Sequence, residues 1–170
     1  MNDSKTSVRT LTMMALLVAM SIVFSRVLSI STGFVRFNLG SLPTLLAAVL
    51  FGPVEGFAVG VVADMIGGVL AGYAINPLIT LGAGAIGLVA GYAWQKLPNL
   101  RTGLRLQISV LLGHFVGSMV INSLALRIFY GYAWSVLLTR IPNAIVLAAV
   151  NTVLLRILLE NRSLMKLAKK

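Results

Sequence analysis

The chain has 170 residues, 58% of them hydrophobic and only 11% charged, with a mean hydropathy of +0.96. A soluble domain carries charge on roughly a quarter of its residues, so this composition excludes an ordinary soluble fold and points to lipid as the solvent. The net charge of +10 comes without a basic-aromatic surface, which speaks against nucleic acid, and the absence of cysteine removes disulfides and thiolate chemistry.

Residues 1–10 are polar, and the apolar run after them lacks a small-x-small cleavage site, so the first segment reads as a mature helix and not as a signal peptide. About 20 apolar residues cross a bilayer as a helix. The first such helix is expected at about 8–28, followed by a Gly-containing connection over 29–40. Ser41-Leu42-Pro43 reads as a helix start, with a serine cap and proline in the first turn. It opens a short second helix, about 41–51, which stops at Gly52-Pro53. Pro53 opens the third, 53–70, and Asn76-Pro77 repeats the cap-then-proline pattern to open the fourth, 76–94.

A basic break over 96–105 precedes a fifth helix, 104–126, and the aromatic run 129–134 suits a membrane interface. Thr139 and Pro142 mark the start of a sixth helix, 140–160. The expected fold is thus all-α, one transmembrane domain over 1–170 with six helices, five being the rival count. Lys5 and Arg9, then Lys96, Arg101 and Arg105, then Arg156, Arg162, Lys166, Lys169 and Lys170 fall on one side only if six helices cross. Positive charge marks that side, and with it both termini, as cytoplasmic.

Small residues recur four apart at Ala15 and Ala19, at Gly52, Gly56 and Gly60, at Gly87 and Gly91, and at Gly113 and Gly117. Such spacing lets helices approach closely in lipid, and packing within the chain is its ordinary use.

Polar groups at membrane depth each ask for a partner or a role. At about 1.5 Å per residue, Arg26 falls near the outer end of the first helix and Asp64 at or beyond the midplane of the third. Arg36 and Asn38 fall in the first outer loop, and Asn76 caps the fourth helix from outside. Asn122 and Arg127 end the fifth helix; Arg140 and Asn143 begin the sixth. Four arginines (26, 36, 127 and 140) thus stand against one acid on the side that should be poor in them. An anionic ligand bound from outside would balance them. Arg127 is better read as a lipid-phosphate partner, and Arg26 or Arg140 as a ligand contact or a partner for Asp64. His114 and Asn151 read as buried packing residues with interhelical hydrogen bonds.

No G-x-x-x-x-G-K-[ST] loop, H-E-x-x-H motif or G-x-S-x-G elbow occurs. No cofactor or metal is expected, and an intramembrane enzyme has little support because Asp64 has no second carboxylate at its depth. Binding or transport fits better.

The elements Val35-Arg36-Phe37-Asn38-Leu39-Gly40-Ser41-Leu42-Pro43, Leu50-Phe51-Gly52-Pro53-Val54-Glu55-Gly56, Val62-Ala63-Asp64 and Arg140-Ile141-Pro142 resemble, in order and spacing, the substrate-binding S component of energy-coupling-factor (ECF) vitamin transporters. The resemblance covers nearly the whole chain and is greatest to the folate group. It implies a cell-membrane protein that binds a vitamin between outer loops and helix ends, without being an enzyme. The implied partners are a transmembrane coupling protein and two cytoplasmic ATPases, with reorientation in the membrane as the delivery step. Ala15 and Ala19 match the family's A-x-x-x-A motif, which faces the coupling protein. After the third helix, Tyr73-Ala74-Ile75-Asn76-Pro77-Leu78-Ile79-Thr80 departs from the folate group's Pro-Gly-Phe-Thr loop.

For folate, the glutamate carboxylates suit the arginines. Asp64, Asn76 or Asn143 could read the pterin edge, and Phe34, Phe37, Tyr73 or Tyr132 could stack on its rings. The expected site is Arg26, Arg36, Asn38, Asp64, Tyr73, Asn76, Asn122, Arg140 and Asn143. The alternatives are another anionic vitamin or precursor such as pantothenate, or a stand-alone secondary transporter.

Overall fold

A backbone surrounded by hydrocarbon must satisfy its polar groups within its own segment, so apolar runs of this length fold as helices. The computed structural model describes residues 8–27, 29–31 and 36–161. Lys5, Phe34, Val35, Arg162, Lys166, Lys169 and Lys170 lie outside the described residues. α1 spans Val8–Arg26 and leads into a hairpin, β1 (Ser29–Ser31) paired antiparallel with β2 (Arg36–Asn38). Next come α2 (Ser41–Leu50), α3 (Pro53–Leu70) and α4 (Pro77–Lys96). α5 (Thr102–Gly113) continues through a π-helical segment (His114–Ile121) into α6 (Asn122–Tyr130), and α7 (Trp134–Leu138) precedes α8 (Arg140–Glu160).

Five of these units are long and apolar enough to cross a membrane: Val8–Arg26, Pro53–Leu70, Pro77–Lys96, Thr102–Tyr130 and Trp134–Glu160. α2 is the sixth passage and has only 10 residues. At 1.5 Å per residue it rises about 15 Å, half of the ~30 Å hydrocarbon core. Its C-terminal end is at the basic side, because Pro53, just past it, packs against Gly91 near the Lys96 end of α4. Ser41 therefore starts α2 near the midplane.

The glycines explain how the helices close up. A Cβ on Gly87 would strike the Gly56 backbone, one on Gly60 the Ala83 carbonyl, and one on Gly91 the Pro53 backbone. α3 and α4 thus cross backbone to backbone, the arrangement that small residues permit in lipid. Gly113 and Gly117 bring the α5 unit equally close to Ile86 and Gly82 of α4. Ala15 and Ala19 differ, since both are exposed on the outward face of α1.

Four local expectations change. The connection over 29–40 contains a hairpin. Gly40, not Ser41, occupies the cap of α2, and Ser41 is already helical. The fifth crossing runs on through Phe129 and Tyr130, and a separate short helix begins at Trp134 before the last one. Asn76 does cap α4, accepting from the Leu78 and Ile79 amides at 3.0 and 3.4 Å.

The core lies in the inner half of the bundle, where Leu45, Val59, Leu106, Val110 and Leu155 are almost fully buried. Arg105 anchors that end: its Nε donates to the Trp94 carbonyl at 2.7 Å while its guanidinium stacks 3.7 Å from the Trp94 ring.

Candidate functional site

Because α2 stops at mid-depth, the outer half of the bundle is not filled by it. A cavity of about 230 Å³ occupies this space, lined from α1, β2, α2, α3, α4, the π segment, α6 and α8. Two hydrogen bonds fix its entry. Ser21 Oγ of α1 donates to the Gly40 carbonyl at 2.6 Å, and the Gly40 amide donates to Asn38 Oδ1 at 3.0 Å. Arg26 and Ser25 reach the cavity from the end of α1, and Ser41 and Thr44 from the first turn of α2.

Asp64 lies on the α3 wall, its Oδ2 accepting from Thr80 Oγ1 at 2.7 Å. Across the bundle, His114 lines the cavity from the first residue of the π segment and Asn122 from the first residue of α6. Beneath them, Asn151 Nδ2 donates to Ser41 Oγ at 3.0 Å and stands 3.1 Å from His114 Nε2. Among the described residues, three polar atoms of cavity-lining side chains are buried without a hydrogen-bond partner: Arg26 Nε, His114 Nδ1 and Asn122 Oδ1.

Of the residues expected from sequence, Arg26, Asn38, Asp64 and Asn122 line this cavity. Tyr73 stands beside it, its ring 5.5 Å from the Arg26 guanidinium. Asn76 does not line it, and its carboxamide oxygen is engaged in the α4 cap. Arg140 and Asn143 are also outside the lining, at the start of α8. Arg36 belongs to β2, and of it only the backbone is described. Arg26 and Asp64 make no ion pair with each other. Arg127 donates to the Tyr132 carbonyl at 3.0 Å on the exposed outer rim.

Ser41, Thr44 and His114 are cavity residues that sequence reasoning left out. The signal for His114 was present: it is the sole histidine, at mid-depth in an apolar helix. A larger depression of about 630 Å³ lies at the basic end, lined by Arg101, Thr102, Arg156 and Glu160. Its Arg156–Glu160 pair, at 2.9 Å, is mostly solvent-facing. None of its side chains carries a buried unpartnered polar atom, so the outer cavity is the candidate site.

A family model described as the ECF-type riboflavin transporter S component matches residues 5–164. The folate transporter FolT of Clostridium novyi (strain NT) is 26% identical over 145 residues, which cover 84% of this chain and 83% of that protein. A crystal structure of FolT bound with folic acid matches the fold with a TM-score of 0.73 at 24% identity, covering 88% of this chain and 92% of that one. The S component of a bacterial ECF transporter matches with a TM-score of 0.73 at 20% identity, covering 95% and 98%. Since the family match takes in the whole bundle and both walls of the cavity, this chain belongs to the S components of ECF-type transporters, integral proteins of the cell membrane.

Proposed function

We propose that this S component binds folate in the outer cavity and delivers it through a coupling protein driven by two cytoplasmic ATPases, catalysing no reaction itself. The observation that carries the vitamin's identity is one cation and one anion, Arg26 and Asp64, in a single cavity without an ion pair between them. Folate matches both. Its glutamate carboxylates accept a guanidinium fork, and its pterin ring offers an amino group and a ring N–H side by side, an edge complementary to a carboxylate. Asp64 keeps Oδ1 and a second lone pair on Oδ2 for that edge, because Thr80 donates a single hydrogen bond to Oδ2.

The matching family model is named for riboflavin and the curated relative for folate. The two vitamins differ in charge and in edge pattern. Riboflavin is neutral and offers a carboxylate one ring N–H between two carbonyl oxygens, so it answers neither Arg26 nor Asp64. Pantothenate could answer Arg26 but has no ring edge for Asp64. A volume of about 230 Å³ lies below the roughly 300–1,000 Å³ of sites that enclose a drug-sized ligand. It suits a fused ring, leaving the anionic tail toward the outer rim beside Arg26 and Tyr73.

The test is isothermal titration of the ligand-stripped, detergent-purified chain with folic acid, riboflavin and pantothenate. Near-stoichiometric, nanomolar binding of folic acid alone is expected. Riboflavin or pantothenate binding as tightly as folic acid would overturn the assignment.

A further inference from the structure

We infer that His114 reads the ligand directly, donating from Nδ1 into the cavity, and that Asn151 and Ser41 hold it in the tautomer that can do so. The inference rests on the outer cavity being the binding site. His114 is 3% exposed and Asn151 fully buried, so neither exchanges its hydrogen bonds with bulk water. Asn151 Nδ2 has two hydrogens and two acceptors within reach, Ser41 Oγ at 3.0 Å and His114 Nε2 at 3.1 Å. Turning the Asn151 amide over would strand both donors in the core, whereas the present orientation leaves one acceptor, Oδ1, unpartnered. Nε2 is thus the acceptor, and a neutral imidazole then carries its proton on Nδ1.

That Nδ1 has no hydrogen-bond partner among the described residues, and His114 lines the cavity. Just past the π segment, Asn122 lines the same cavity, and its Oδ1, packed against Gly82 of α4, is buried without a hydrogen-bond partner among the described residues. Buried polar atoms are rarely left without a partner, and orphans collected around one cavity indicate a group that arrives from elsewhere. π-Helical turns recur at functional sites, and this one opens at His114. The complement of a donor at His114 Nδ1 is an acceptor on the ligand, such as a ring nitrogen or carbonyl oxygen.

Two readouts test this. In the first, His114→Asn, His114→Gln and His114→Phe are titrated with folic acid and, separately, riboflavin. An asparagine amide nitrogen falls near the Nδ1 position, and a glutamine amide nitrogen falls near Nε2. Affinity is expected to fall roughly tenfold to a hundredfold in the Gln and Phe variants, the loss of one buried hydrogen bond, and to be largely kept in the Asn variant. Equal losses in Asn and Gln, or none in Phe, overturn the inference. If riboflavin binds in place of folic acid, the vitamin assignment fails while the same ranking of variants still tests His114.

The second readout needs no ligand and no altered His114. His114 is the only histidine, so the ring nitrogens of ¹⁵N-histidine-labelled protein report this residue alone. A protonated Nδ1 and bare Nε2 are expected, with the preference weakened by Asn151→Leu. A protonated Nε2 in the wild type overturns the inference even if neither vitamin binds.

Discussion

Arg26 shows how far a single side chain can be argued. It ends a lipid-spanning helix on the side that the distribution of basic residues leaves poor in cations, and its Nε is buried without a hydrogen-bond partner among the described residues. A charged hydrogen bond contributes about 1.5–3 kcal/mol, so Arg26→Ala should weaken folic acid binding at least about tenfold. Pteroic acid lacks the glutamate, keeping only a benzoate carboxylate nearer the ring, and should feel the change less. Comparing both ligands on both proteins isolates the tail contact as a coupling energy. Asp64→Asn behaves differently, since it keeps an acceptor for Thr80 but loses the carboxylate that would meet the pterin edge. It should weaken folic and pteroic acids alike. Equal penalties for both ligands in Arg26→Ala would place the tail elsewhere.

At this scale legibility was uneven, for a physical reason. Depth along a helix follows from sequence position, which brought Arg26, Asp64 and Asn122 to attention. Ser41 was misread as a cap because its true partners, Asn151 and His114, are 110 and 73 residues away in sequence. Nothing local distinguishes a capping serine from the first helical residue facing a buried amide.

At the scale of elements, starts set by proline were legible because proline acts through its own ring and its neighbours. Pro53 and Asn76-Pro77 open helices where expected, and Asn76 makes the cap bonds itself. The π segment and the hairpin were not legible, since the first depends on how the α5 unit crosses α4 at Gly113 and Gly117, and the second on cross-strand pairing. The four-residue glycine spacing gave contact without direction. The structure supplies that direction, and two glycines make opposite predictions. Gly87→Ala pushes a methyl into the Gly56 backbone and should destabilise by about 1–3 kcal/mol. A Cβ on Gly103, in the first turn of α5, would meet among the described residues only Arg156 Nη1, at 3.8 Å. Gly103→Ala should be neutral or stabilising by up to about 1 kcal/mol. Thermal unfolding of the two variants in detergent checks both signs.

α1 carries the remaining small-residue pair, and its exposure sets it apart from the glycines. Ala15 and Ala19 share an exposed face with Leu16 and Met20, away from the cavity. A tryptophan at either alanine should therefore leave folic acid affinity unchanged in the isolated chain. If this face meets the coupling protein, the same substitution should abolish co-purification of the complex and uptake by cells. Normal uptake by either variant would reduce the pair to lipid-facing packing.

For the whole molecule, the two halves of the bundle have different jobs. The outer half holds the cavity and its orphaned polar atoms, while the inner half holds Leu45, Val59, Leu106, Val110 and Leu155, packed almost without exposure. The floor between them is the Ser41–His114–Asn151 cluster, itself hydrogen-bonded. A ligand in the cavity therefore faces a packed core and not a second vestibule. Threading it through would require separating backbones that touch at Gly56 and Gly87. A stand-alone secondary transporter needs alternating access around its site, commonly by rocking one part of the bundle against another, and these close crossings oppose such a motion. Delivery by reorienting the loaded protein within a larger complex leaves the packing intact. The chain alone in liposomes should accordingly bind folic acid yet show no flux down either a folate or a proton gradient. Adding the coupling protein and both ATPases should give uptake that requires ATP hydrolysis. Gradient-driven flux by the chain alone would mean that the inner half opens, and would make Asp64 and His114, the titratable groups of the cavity, the residues to test for ion coupling.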